Sequence, residues 1–205
     1  DNYLSGSNLD LNDLLITDNL IKKNSEFSYC NIYSYFTEEF IWPRGLPLDE
    51  IKIKKYFKCI KLKSKCDIVQ FLANGDTDVD AIFRLVINKN IKFKENLSYC
   101  LDNFVFSPTN SQSTLFTKKV FPLLYLPITV SFRFTDILRG IVIKNILDNH
   151  NLKLGFKSPI AYQERNPHDY MKDFESEVSM HLNIKKANLN LSKLKRGNSI
   201  CDDLI

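Results

Sequence analysis

The chain has 205 residues, 44% of them hydrophobic and 25% charged, enough for one domain with a real core or two small ones. A net charge of +4, scattered along the chain, does not make a nucleic-acid binder. Five cysteines without a CxxC pair imply neither a zinc site nor a disulfide framework, and three histidines leave little material for a histidine metal centre or a Ser-His-Asp triad.

Residues 1–30 are polar apart from Leu9, Leu11, Leu14 and Leu15, and read as a loop with one short helix. Aromatic residues from Tyr33 to Phe40 lead into Ile41-Trp42-Pro43-Arg44-Gly45-Leu46-Pro47. Two prolines and a glycine forbid regular helix or central strand there, so the chain turns sharply while presenting an indole and a guanidinium. Either Trp42 is a buried residue beside an ion-paired Arg44, or the turn faces a ligand and Arg44 grips a phosphate or carboxylate with its planar fork. Residues 50–66 are Lys-rich, with Ile51 and Ile53 hinting at a strand. Lys52, Lys54, Lys55, Lys58, Lys61, Lys63 and Lys65 read as a solvated face.

Ile68 to Ala73 is a continuous apolar run, as expected of a buried strand. It opens into Asn74-Gly75-Asp76-Thr77-Asp78-Val79-Asp80-Ala81. An aspartate at every second position projects to one side of an extended backbone. Three uncompensated charges there require solvent, a cation or a polyhydroxyl ligand. Ile82 to Ile87 fits a strand or a helix. Phe104 to Phe106 leads into Ser107-Pro108-Thr109-Asn110-Ser111-Gln112-Ser113-Thr114, a loop whose small side chains suit sugar hydroxyls. Val120 to Ser131 is apolar but too short to span a bilayer. Phe132-Arg133-Phe134 reads as the end of a strand. Thr135 or Asp136 reads as the cap of a helix bearing Leu138, Ile141, Val142 and Ile146. Leu154 to Tyr162 makes one or two strands. A second helix opens at Asn166-Pro167, with Asp169 in its first turn and Tyr170, Met171, Phe174, Val178 and Leu182 as its apolar stripe. The tail beyond Leu194 is polar and frayed. Strands alternating with helices predict an α/β or α+β fold with a mixed sheet. The carboxylates and ligand-type loops fall at the ends of apolar runs, where open α/β sheets place their sites.

Six blocks, in order over residues 35–180, resemble the STELLO-type glycosyltransferases: Trp42-Pro-Arg-Gly-Leu-Pro47, Asn74-Gly-Asp-Thr-Asp-Val-Asp-Ala81, Asn110-Ser-Gln-Ser-Thr-Leu-Phe116, Leu126-Pro127, Thr135-Asp-Ile-Leu-Arg-Gly140 and Gln163-Glu-Arg-Asn166. Plant members of that family are Golgi membrane proteins linked to cellulose synthase assembly. The chain is also distantly similar to the reversibly glycosylated polypeptides, which include UDP-arabinopyranose mutases. Both resemblances imply a GT-A-like nucleotide-sugar fold, an α/β fold with a mixed sheet, of which residues 1–195 are the C-terminal part and 196–205 a polar tail. The N-terminal half, with most of the nucleotide pocket, is expected upstream of Asp1, which would be the last remnant of an Asp-rich metal motif.

The resemblance implies a glycosyltransferase that moves a sugar from a nucleotide-sugar donor to a hydroxyl of a glycan or protein acceptor. The required divalent metal (Mn or Mg) is supplied mostly by upstream residues. Asp136, matching the late acidic motif of GT-A enzymes, is the implied catalytic base, kept ionised by the helix dipole. Arg139 pairs with it or meets a phosphate. Asp78 and Asp80 are implied to contact acceptor or donor sugar, with metal ligation by Asp78, alongside Asp1, as the second role. Arg44, on the Gly45 turn, faces the diphosphate or orders its loop, with Trp42 as a stacking platform. Asn110 and Gln112 bind sugar hydroxyls, and Gln163 closes the site. The resemblance places the parent protein, membrane-anchored, in the Golgi, with a cytoplasmic sugar-nucleotide mutase as one alternative. The other is a catalytically idle scaffold in secretory or cell-wall assembly.

Overall fold

The segment Ile68–Gly75 is buried along nearly its whole length, so it can sit only inside a sheet covered on both faces. In the computed structural model, residues 2–4, 11–23, 27–52, 57–194 and 196–204 are described, with backbone alone for 2–4 and 11. The elements are β1 (Asn2–Leu4), α1 (Leu11–Leu14), β2 (Ile16–Lys22), β3 (Ser28–Tyr29), β4 (Lys58–Lys65), β5 (Ile68–Gly75) and α2 (Ala81–Val86). They continue with β6 (Ser98–Leu101), β7 (Val105–Phe106), β8 (Thr114–Phe116), α3 (Phe132–Asn149), β9 (Leu154–Gln163) and α4 (Tyr170–Leu191). Short 3₁₀ turns fill several connections, one of them over Lys118–Leu124.

Seven strands form one sheet in the order β4-β2-β6-β9-β5-β8, with β1 paired to the far end of β9, while β3 and β7 form a separate pair. β5 runs parallel to β9 and β2 parallel to β6, whereas β6–β9, β5–β8 and β2–β4 are antiparallel. This is the expected α/β class with a mixed sheet. Alternation along β5 divides the core: Ile68 and Leu72 join the main cluster with Phe83, Phe93 and Phe156, and Val69 and Phe71 join Leu20, Cys66 and Cys100 on the other face. α3 and α4 pack against each other through Ile137, Ile141, Met180 and Ile184. Among the described residues no helix is long and apolar enough to cross a membrane.

Several local expectations change. The polar N-terminal stretch contains β2, an interior strand whose Thr17 and Asn19 satisfy themselves on the carbonyls of Ser64 (3.3 Å) and Ser98 (2.9 Å). The Lys-rich segment is β4, an edge strand whose exposed Lys58, Lys61, Lys63 and Lys65 guard an unpaired edge. Ile53, Lys54 and Lys55 lie outside the described residues. Phe132 to Phe134 is not the end of a strand. Helix α3 starts there with Ser131 as N-cap residue, so Asp136 lies in the second turn rather than at the cap. Helix α4 starts after Asp169, whose carboxylate accepts from Met171 N (3.1 Å) and Lys172 N (3.2 Å), and not at Asn166-Pro167. The α4 face turned inward is Glu177, Met180, Ile184 and Asn188. Met171, Val178 and Leu182 of the expected stripe are exposed. The tail is held back by Asp203, which bonds His150 Nε2 at 2.9 Å.

Gly140 is the tightest contact of α3 with the loop before β8, since a Cβ there would lie 2.3 Å from Thr109 Oγ1 and 2.8 Å from its carbonyl oxygen. A Gly→Ala change inside a helix ordinarily stabilises by about 1 kcal/mol. Gly140→Ala is expected to reverse that sign and destabilise by about 1–3 kcal/mol, read from the urea midpoint; a stabilised variant would disprove the contact.

Candidate functional site

The Trp42–Pro47 block is a turn closed by Leu46 N–H on the Pro43 carbonyl (3.1 Å), with Gly45 at φ +88°, a conformation that disfavours side chains. A Cβ on Gly45 would also fall 2.4 Å from Ile137 Cγ2 of α3. The glycine lets the turn lie against α3, and Arg44 therefore enters the interior between α3 and the chain leaving β5. Its Nε donates to Asp78 Oδ1 (3.0 Å) and Nη2 to Asp78 Oδ2 (3.1 Å). Nη1 donates to Asp136 Oδ1 (3.0 Å) and to the Arg133 carbonyl, and Nη2 to Asp136 Oδ2 (2.9 Å). One buried guanidinium thus holds the carboxylates of two distant blocks. Asp78 also accepts from Asn110 Nδ2 at 2.7 Å, and its backbone carbonyl accepts from Tyr33 Oη at 3.0 Å.

The alternating aspartates do not share one solvated face. Asp76 pairs with Arg84 of α2, Asp78 with Arg44, and Asp80 is the N-cap of α2, accepting from Phe83 N (2.8 Å) and Trp42 Nε1 (2.6 Å). Each charge has its own partner, which is why the triplet tolerates burial. Trp42 is a core residue, stacked edge-on against Phe83 at 5.2 Å, so its ring is not turned outward as a platform. Glu177, fully buried on α4, accepts from Ala81 N (2.7 Å) and Arg133 Nε (2.6 Å) and so ties α2, α3 and α4 together.

The remaining candidates lie around this centre. Asn110 exchanges hydrogen bonds with Gln70 (Gln70 Nε2 to Asn110 Oδ1, 2.8 Å; Asn110 N to Gln70 Oε1, 3.2 Å). Gln112 donates its backbone N–H to Asn110 Oδ1 (2.9 Å). Arg139 does not bond Asp136; it reaches Ser111 Oγ at 2.5 Å. Gln163 ends β9 opposite Gly75, and its Oε1 is buried without a hydrogen-bond partner among the described residues. Arg84, Arg133, Arg165 and Glu177 belong to the network but were not among the sequence candidates. Arg165 had a visible signal, its place in the Gln163–Asn166 block, whereas Glu177 looked like one polar residue on an amphipathic helix.

Asp1 lies outside the described residues. Asp78 does not fit a metal, because both its oxygens are engaged by Arg44 and Asn110. No cluster of three or more His, Cys, Asp or Glu side chains able to hold an ion occurs among the described residues.

Burial alone would raise Asp78, but the Arg44 guanidinium, with Arg165 and Asn110, outweighs it and holds the carboxyl below its ordinary value. Glu177 is likewise lowered against its burial, by His181, the Ala81 N–H and Arg133. Asp80 is raised, burial outweighing its bonds to Phe83 and Trp42. Carboxyls lowered on folding stabilise above their unfolded pKa and lose that contribution as pH falls through the folded value. Urea titrations are thus expected to show stability falling from pH 5 to pH 3, with a shallower fall in Asp78→Asn. An unchanged slope would refute the assignment. Removing the hub strands the buried Asp78 carboxylate and the half-buried one of Asp136, so Arg44→Met is expected to cost about 3–5 kcal/mol in the same assay. Arg44→Lys keeps the charge but not the fork and should still lose stability; full stability in both variants would contradict the geometry.

No family model matches the chain. Over 171 residues, 79% of this chain, it is 30% identical to probable glycosyltransferase STELLO1 of Arabidopsis thaliana and 28% identical to probable glycosyltransferase STELLO2 of the same plant. The chain spans 22% of the length of each of these relatives. The likeness carried by the ordered motif blocks is borne out: over most of its length the chain is related to the STELLO-type glycosyltransferases.

Proposed function

We propose that the protein containing this chain transfers a sugar from a nucleotide-sugar donor to a hydroxyl of a glycan or protein acceptor. The observation that carries this reading is the meeting of Asp78 and Asp136, from two separate blocks, on the single guanidinium of Arg44. Asp78 lies just past the C-terminal end of β5, which is parallel to β9, the edge at which open α/β sheets bind ligands.

In this reading Asp136 is the base. Its side chain is 19% exposed, against 5% for Asp78, so it is the carboxylate that an acceptor hydroxyl reaches. Arg44 fixes the orientation of that carboxylate by bonding both of its oxygens. As the acceptor oxygen bonds to the anomeric carbon, its proton passes to Asp136 and the nucleoside diphosphate leaves. The Oε1 of Gln163, without a partner among the described residues, suits a sugar hydroxyl donor, whereas the Asn110 amide is taken up by Gln70, Gln112 and Asp78, leaving Gln112 for sugar hydroxyls. A divalent metal, Mn or Mg, would neutralise the diphosphate from residues of the parent protein other than those described. The resemblance favours a membrane-anchored parent in the Golgi.

One observation favours a second reading, an idle scaffold domain: Arg44 engages both carboxylates completely, as a purely structural hub would. Titration calorimetry of the full-length protein with UDP and with GDP, each with and without manganese, separates the two. Metal-dependent nucleotide binding is expected, retained in Asp136→Asn while sugar transfer falls by about 10²–10⁴-fold. Absence of binding of either nucleotide to the folded protein would favour the scaffold.

A further inference from the structure

We propose that the loop leaving β9 carries an anion site, with the Arg165 guanidinium as its principal ligand, that takes the diphosphate of the nucleotide-sugar donor. This rests on the transferase reading and adds the group that meets the leaving diphosphate. Three other arginines lie near Arg165, and each is held by carboxylates. Arg44 bridges Asp78 and Asp136, Arg84 holds Asp76 and the Thr77 carbonyl (2.6 Å), and Arg133 holds Asp173 and Glu177. Arg165 is held more loosely. Its Nε reaches the Asp76 carbonyl only at 3.5 Å, and Nη2 stands 3.6 Å from Asp78 Oδ1. Its terminal nitrogens donate no hydrogen bond among the described residues, and the Asp78 oxygens beside them already accept from Arg44 and Asn110.

This side chain is nonetheless only 14% exposed. A guanidinium carries five donors, and those of Arg165 that the protein does not bond are open to a ligand. Burial disfavours its charge. Asp78 supports the charge, but Arg84, Arg133 and Arg44 all push against it. The position fits as well. Gly75 and Gln163 are register partners at the C-terminal ends of parallel strands, and Arg165 follows two residues later, its N–H on Asp76 Oδ2 (3.4 Å). On a flanking residue, Arg84 Nε is buried with no hydrogen-bond partner among the described residues, a further donor for the same ligand. A guanidinium fork matches two phosphate oxygens. The diphosphate gains charge as the glycosyl bond breaks, so a fixed cation there acts more strongly on the transition state than on the bound donor.

The test is calorimetry of the full-length protein with UDP, GDP and inorganic pyrophosphate, for wild type, Arg165→Gln, Arg165→Lys and the exposed edge control Lys61→Gln. Arg165→Gln is expected to weaken binding of UDP and pyrophosphate by about tenfold or more, Arg165→Lys to recover part of it, and Lys61→Gln to match wild type. Wild-type affinity in Arg165→Gln overturns the proposal and leaves the transferase reading standing. Pyrophosphate binding that depends on Arg165, without binding of UDP or GDP, supports the anion site and overturns its assignment to a nucleotide-sugar donor. No binding of any of the three anions overturns the site. A second measurement needs no variant: phenylglyoxal labelling of the wild-type protein read by mass spectrometry. UDP is expected to protect Arg165 and not the exposed Arg196; equal labelling of Arg165 with and without UDP overturns the proposal.

Discussion

A guanidinium buried between two carboxylates is the constraint on which the centre of this molecule depends. Arg44 carries a charge that burial would make costly, and Asp78 and Asp136 carry two more. Each is tolerable only while the others stay in place, with Asn110 and the Arg133 carbonyl completing the bonding. That mutual dependence locks the turn of Gly45 against α3 and the end of β5 against both. Apolar packing alone would let these segments slide, because it has no direction, whereas the bidentate fork fixes distances and angles.

A second brace stands beside the first. Asp80 caps α2 and holds the indole of Trp42, and Glu177 closes the other side through the Ala81 N–H and Arg133. Arg133 connects the two braces, since its carbonyl serves Arg44 and its side chain serves Glu177. The helices α2, α3 and α4 are thereby tied to one polar network beneath the C-terminal ends of β5 and β9. A network that rigid suits a site requiring preorganised charge, and it explains why so many ionisable side chains lie in an interior that is otherwise Phe, Ile and Leu.

Much of the fold was legible because burial writes itself into local pattern. The apolar run Ile68–Ala73 could only be an interior strand, and the Pro-Arg-Gly turn could be nothing regular. The errors arose where a polar partner outside the window changed the outcome. β2 looked like loop because its Thr17 and Asn19 are satisfied by neighbouring strands rather than by water. The apolar periodicity of α4 favours the stripe with most apolar residues, but Glu177 and Asn188 turn inward because their partners wait there, and Met171 and Leu182 are left exposed. Asp136 looked like a cap because the residues before it alternate as a strand does; the helix in fact begins at Phe132.

The amino-acid sequence by itself determined the α/β class, the sharp turn at Trp42–Pro47, the acidic stretch after β5 and the ordered blocks that carry the STELLO likeness. These depend on backbone sterics, hydrophobic periodicity and residue order, all of which are local. Only the tertiary structure decided which charges meet. Asp76, Asp78 and Asp80 are neighbours in the chain but belong to three different partners, and Arg44 and Asp136 lie far apart in the chain but share one ion pair. Pairing between charges is a property of distance in space, and for buried groups it outweighs any preference that a single stretch of chain expresses.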